Sequence, residues 1–196
     1  MNKETIIQHV SKLLQEIPTS SEIVKDDHKK EQRFQYLARH MVDKAIRKDA
    51  LIVSENQKGI AILFHMKNSE KEFWRNLVDD LKLAINVTGL KNGLRALKPQ
   101  QYIKKQRSAD SEYLYCWFWG VMPDSRGTGE IQTAYQMKDQ FFAIAKDLQL
   151  PIYAETRIRR INLAYQRYGF KLFHEWDHPS GDKMYFLKYT PPPKDQ

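Results

Sequence analysis

Residues 113 to 121 read Tyr-Leu-Tyr-Cys-Trp-Phe-Trp-Gly-Val, an almost unbroken run of aromatic and apolar side chains. The run is about half the ~20 residues that would span a bilayer as a helix. Its composition is that of a β-strand covered on both faces, and such a strand belongs at the centre of a sheet with further layers above and below. Pro123-Asp124-Ser125-Arg126-Gly127-Thr128-Gly129 closes it, and Ala134, Met137, Phe141, Ala145 and Leu148 then recur at helical spacing. The glycine-rich turn therefore opens a helix. A second strand, Pro151 to Glu155, leads into a short helix that holds Asn162, Ala164, Tyr165 and Tyr168 and stops at Gly169, a residue suited to end a helix. Strand, helix, strand, helix in this order implies a parallel pairing of the two strands.

The flanks complete a single unit. Ile6, Val10, Leu13 and Leu14, and then Phe34, Leu37, Met41 and Ala45, form two apolar stripes at helical spacing, separated by Pro18 and Thr19-Ser20-Ser21. Ala50 to Ser54 and Gly59 to Phe64 are β-rich runs joined by the polar Glu55-Asn56-Gln57-Lys58, which predicts a hairpin. Phe73, Leu77, Leu81 and Leu83 suggest one more helix before Gly89, Gly93 and Pro99. Phe170 to Trp176 and Lys183 to Tyr189, joined through His178-Pro179-Ser180-Gly181, read as a closing antiparallel hairpin. Pro191 to Gln196 should be a frayed, disordered tail. The expected organisation is helices over 1–48 packed on a domain of 49–190, with the tail over 191–196. A chain of 196 residues accommodates one such domain.

Composition narrows the function classes. With 41% hydrophobic residues the chain can bury a core, which excludes wholesale disorder. The first ten residues mix Lys3, Glu4, Gln8 and His9 among few apolar ones, so a secretory leader is not expected and a cytoplasmic location is. Cys116 is the one cysteine, which excludes an intrachain disulfide and a multi-thiolate zinc site and reads as a small buried hydrophobe. His174, Asp177 and His178 fit no compact zinc spacing, so no metal is expected. The net charge of +8 suits an anionic small molecule or a nucleic acid equally.

A strand that ends in a glycine-rich turn and begins a helix presents unpaired N–H groups, backed by the helix dipole, to an anion. Gly127 and Gly129 would allow a phosphate close to the main chain, with Arg126 adding charge and Thr128 a hydroxyl. No Lys-Ser/Thr follows as in a P-loop, and no Gly-x-Gly-x-x-Gly is present.

YLYCWFWGVMPDSRGTGEIQTAY, followed by PIYAET and then NLAYQRYGF, resembles the GNAT superfamily of acetyl-CoA-dependent N-acyltransferases over roughly residues 111 to 189. The resemblance implies an α/β fold: a mixed, mostly antiparallel sheet split at an acetyl-CoA cleft and preceded by helices. It implies acetyl-CoA as cosubstrate, with Arg126, Gly127, Thr128 and Gly129 wrapping its pyrophosphate. Gly120 and Val121 would match the splayed strand end that pairs with pantetheine and supplies an oxyanion donor. Tyr165, four residues before Gly169-Phe170, matches the tyrosine that protonates the leaving thiolate. The family's asparagine would fall at Ile158, and Asn162, one turn later, stands in for it as a coenzyme A contact. Glu155, at the end of its strand, is the candidate base, with Glu112 as the other carboxylate near the aromatic strand.

Arg157, Arg159 and Arg160 are candidate phosphate partners under the same reading. Trp117 and Trp119 lie two apart, which on a regular strand puts both indoles on one face; lining an acceptor cleft, they would favour an aromatic or cationic amine. The expected activity is acetyl transfer from acetyl-CoA to a primary amine by direct attack in a ternary complex, the acceptor being a small molecule or a protein. No membrane partner is expected, no nucleic-acid-binding motif is found, and a homodimer is left open. Ile131, where the resemblance implies a small residue, and the missing asparagine support the alternative of a non-catalytic GNAT-like protein that has lost acetyl-CoA binding; Glu130 would put a negative charge near the phosphates, and the charge of +8 permits a basic nucleic-acid-binding protein.

Overall fold

The computed structural model describes residues 1–67, 101–103, 105–107, 112–123 and 128–194. The helix expected around Phe73 to Leu83, and Arg126 and Gly127 of the turn, lie outside the described residues. Three helices come first: α1 (Lys3–Gln15), α2 (Pro18–Ile23) and α3 (Lys30–Arg47). Two were expected; α2 is a six-residue helix that Pro18 starts at its first turn, where a missing N–H costs nothing. Asn2 caps α1 by accepting from the Thr5 N–H at 2.9 Å. The Arg39 fork on Glu4, at 2.8 and 2.6 Å, ties α3 to α1.

The sheet contains β1 (Leu51–Val53), β2 (Gly59–Met66), β3 (Tyr113–Val121), β4 (Ile152–Thr156), β5 (Lys171–Asp177) and β6 (Lys183–Tyr189), in the order β1-β2-β3-β4-β6-β5. All neighbours are antiparallel except β3 and β4, which run parallel, as the intervening helix requires. That helix is α4 (Thr128–Leu148), and α5 (Arg159–Arg167) links β4 to β5. The mixed α/β architecture read from the sequence is the one observed.

Both faces of the sheet are covered. Ile6, Val10, Leu14, Phe34, Met41 and Ala45 of α1 and α3 pack with Ile60, Ile62, Phe64, Tyr113 and Tyr115 on one side. On the other, Met137, Phe141 and Ala145 of α4 and Tyr165 of α5 pack with Ala61, Leu63, Leu114, Cys116 and Ile152. Leu148, the last of the expected helical stripe, is exposed instead. Among the described residues no helix is long and apolar enough to cross a membrane.

The β1–β2 turn is bolted to α4. Ser54 Oγ accepts from the Gly59 N–H and donates to Asn56 Oδ1, both at 2.7 Å, and Asn56 Nδ2 donates to Thr133 Oγ1 at 2.7 Å. The fit leaves no room for a methyl at Gly59, whose Cβ would meet Met137 Sδ at 2.2 Å and Thr133 Cγ2 at 2.9 Å. Gly59→Ala is therefore expected to lose about 1–3 kcal/mol of stability by overpacking. A thermal melt reads the loss, and an unchanged Tm would mean that the α4–β2 contact is looser than this geometry.

Candidate active site

The feature that makes a site is a split in the sheet. Among the described residues, the parallel register of β3 with β4 runs only over Leu114↔Ile152 and Tyr115↔Tyr153. Beyond it β4 stays paired to β6 as far as Thr156↔Tyr185, and β3 stays paired to β2 as far as Val121↔Gly59. The strands diverge after Tyr115, and the edge of β3 from Cys116 onward that faces β4 carries no ladder from it. An extended ligand can pair with such an edge as an added strand.

Local irregularity sharpens the split. The β2–β3 register passes from Ile62↔Phe118 to Leu63↔Cys116, skipping Trp117, so β3 carries a bulge there. The bulge overturns the expectation that the two indoles share a face. Trp117 turns toward α3, with its ring 5.5 Å from Phe64 and Lys44 Nζ 5.9 Å above it. Trp119 turns to the opposite side, edge-on to Phe141 at 4.9 Å and to Tyr165 at 5.4 Å, and close to Tyr168. A strict period of two fails across a bulge, because one extra residue reverses every side chain after it.

Tyr165 lies beneath the split. It sits in the last turn of α5, and that turn ends in a Schellman motif: the Phe170 N–H donates to Tyr165 O and the Gly169 N–H to Gln166 O, both at 3.0 Å, with Gly169 at φ +104°. The Phe170 ring packs edge-on against Tyr165 at 4.9 Å, the hydrophobic contact that accompanies this cap. The stop signal read at Gly169 thus also fixes where the phenol points. Its hydroxyl lies 3.6 Å from Cys116 Sγ at the start of the unpaired edge. Burial raises the Tyr165 pKa well above that of a free phenol, with the neighbouring Cys116 adding to the effect. The group keeps its proton at neutral pH.

On the other face of the split, two donors converge on Glu155. Arg107 Nη2 approaches Glu155 Oε1 at 2.9 Å, and the Tyr115 hydroxyl donates to the same oxygen at 2.7 Å. The guanidinium stacks 3.8 Å from the Tyr115 ring centroid, and Arg107 as a whole is 1% exposed. Burial works to lower the Arg107 pKa, but the Glu155 carboxylate and the phenol groups of Tyr115 and Tyr113 outweigh it and the net shift is upward. Glu155 Oε2 is buried and has no hydrogen-bond partner among the described residues.

The other expected site residues are distributed as follows. Gly120 and Val121 pair with Ile60 and Gly59 at the open end of β3, and a Cβ on Gly120 would meet Leu13 Cδ1 of α1 at 2.9 Å. Thr128 and Gly129 form the first residues of α4, so the glycine turn does open a helix beside the split. Asn162 is buried in α5 and accepts from Gln166 Nε2 at 2.9 Å. Arg157, a candidate for phosphate contacts, is held by Asp182 at 2.7 Å. Glu112 pairs with His65 at 2.7 Å near the far end of β3. Ile131 is exposed on α4. His174 is engaged by the Tyr102 hydroxyl at 2.8 Å, and among the described residues no group of His, Cys, Asp or Glu is arranged to hold a metal. Sequence reasoning missed the roles of Arg107, which lies in no motif, and of Tyr115, which read only as one more aromatic of the 113–121 run.

Numerous solved structures match this fold. One described as a histone acetyltransferase and related acetyltransferase from Corynebacterium glutamicum superposes with a TM-score of 0.63 at 14% identity, over 98% of this chain and 92% of that one. The fold is that of the GNAT acetyltransferases. A putative arylalkylamine N-acetyltransferase of the yellow fever mosquito gives 0.63 at 13% identity, over 97% and 85% of the two chains. A polyamine N-acetyltransferase of Drosophila melanogaster, described as forming N-acetylagmatine, gives 0.60 at 12% identity, over 97% of both. No protein-family model and no curated protein sequence matches the chain. The likeness to the GNAT fold is therefore one of structure, at 12–14% identity in these three.

Proposed function

We propose that the protein is an N-acetyltransferase that moves an acetyl group from acetyl-CoA to a primary amine. The observation that carries this reading is the divergence of β3 from β4 with the Tyr165 hydroxyl beneath it. The described residues fit acetyl-CoA as substrate. The unladdered edge of β3 offers main-chain groups to an extended, amide-bearing arm, and the start of α4 offers N–H groups to a pyrophosphate. The neighbours named for arylalkylamines and agmatine support an amine as acceptor.

The chemistry follows from the two sides of the split. Glu155 Oε2 takes the proton of the acceptor nitrogen, directly or through water, since only a neutral amine attacks a thioester. A main-chain N–H of β3 near Gly120 meets the negative charge that develops on the carbonyl oxygen. As the C–N bond forms and the C–S bond breaks, Tyr165 gives its proton to the departing sulfur. The burial that raises the phenol's pKa also raises the basicity of a thiolate released beside it, so donor and acceptor stay matched.

The test is a thermal-shift titration with acetyl-CoA, coenzyme A and ATP, followed by product analysis on a panel of primary amines. Ligand at about a hundred times its Kd should stabilise the protein by about 2.7 kcal/mol. Acetyl-CoA and coenzyme A should shift the Tm and ATP should not. No shift with millimolar acetyl-CoA, together with steeply salt-dependent binding of RNA or DNA, would establish the binding-protein reading in its place.

A further inference from the structure

Residues 101–103 and 105–107 are helical, and their side chains meet both the β5–β6 hairpin and the point where β3 and β4 part. At one end the Tyr102 ring stacks on Trp176 at 4.2 Å, and Ile103 is buried with Met184 and Phe186. At the other end Arg107 reaches Glu155 and Tyr115. The hairpin contacts thus fix where the guanidinium sits.

The geometry of that contact is unusual in one respect. A guanidinium facing a carboxylate commonly grips both oxygens with parallel N–H groups. Here Arg107 Nη2 and the Tyr115 hydroxyl both converge on Oε1, at 2.9 and 2.7 Å, and Oε2 is buried with no hydrogen-bond partner among the described residues. Leaving one carboxylate oxygen in that state inside a protein costs stability, and a buried ion pair is in any case a weak stabiliser compared with apolar side chains of the same volume. Glu155 lies two residues beyond Tyr153, the last residue of β4 in register with β3, which places it where the two strands part.

We propose that Arg107 is a positioning residue: together with Tyr115 it clamps Oε1 so that Oε2 is presented to the acceptor nitrogen. The clamp rests on the acetyl-transfer reading above. It acts through Glu155, so it governs the rate of transfer and leaves acetyl-CoA binding alone.

The experiment compares wild type, R107M, R107K, E155Q and R107M/E155Q in acetyl transfer to tyramine, to agmatine and to a lysine peptide. Each is assayed well below its own Tm, and the acetyl-CoA thermal shift is recorded in parallel. R107M should lose about a hundredfold in kcat, the scale of a catalytic group misplaced by about 1 Å. It should keep its acetyl-CoA shift, and R107K should recover part of the rate. The double variant, which buries no unpaired charge, should be no slower than E155Q alone. If R107M does not fold, R107K and the double variant decide. Losses that multiply in the double variant, or an R107M as fast as wild type, overturn the clamp while the acetyltransferase reading stands. A wild type with neither acetyl-CoA shift nor transfer overturns both.

Discussion

Tyr165→Phe is expected to cut kcat for acetyl transfer by about 10²–10⁴-fold, the range that a positioned proton donor contributes, while leaving the fold intact. The two effects separate because the hydroxyl and the ring have different work. The ring is held by Phe170 at 4.9 Å and Trp119 at 5.4 Å, and phenylalanine keeps both contacts. Among the described residues the hydroxyl meets one polar partner, the Cys116 sulfur at 3.6 Å, a weak interaction, so its removal should cost under about 1 kcal/mol. Acetyl-CoA should therefore still shift the Tm of the variant. Kinetics of thiol release give the rate and a thermal melt the stability. A variant that turns over at the wild-type rate would reduce Tyr165 to a packing ring and move the proton donor elsewhere.

How much of this site the sequence discloses depends on the range of the interaction. Tyr165 is legible because its placement is local: the Gly169 stop, the helical stripe and the following Phe170 all lie within five residues, and the Schellman cap joins them. The central position of β3 is legible too, since a strand apolar on both faces has few other places to go. The Trp117 bulge is not, because an alternating pattern reads the same with or without one skipped residue until the β2 register is known. Arg107 is the extreme case. It stands in sequence beside Lys104 and Lys105 as one more surface cation, and only the meeting with Glu155, 48 residues away, makes it a buried clamp.

The contact between Tyr165 and Cys116 carries a second strong expectation, this time about the thiol. Burial pushes the Cys116 thiol from an ordinary 9.0 up to about 12, against the opposing effect of its contact with the Tyr165 hydroxyl. The thiolate is the reactive form. At pH 8 the thiolate fraction is then about a thousandfold smaller in the native protein than in the unfolded chain, and iodoacetamide labelling should be slower by at least about that factor, since burial also limits access. Because Cys116 is the one cysteine, the labelling stoichiometry reports on it alone. The sign of the linked stability follows. A folded-state pKa above the unfolded one gives a contribution that is full below pH 9 and is lost as pH rises towards about 12, so the native state should weaken progressively across that alkaline window. Tyr165, shifted in the same direction by the same burial, adds to the loss above the ordinary phenol range. Fast labelling of the native protein at pH 8 would mean that the floor of the split is open to solvent, and the water-poor setting in which Tyr165 and a departing thiolate are matched would go with it.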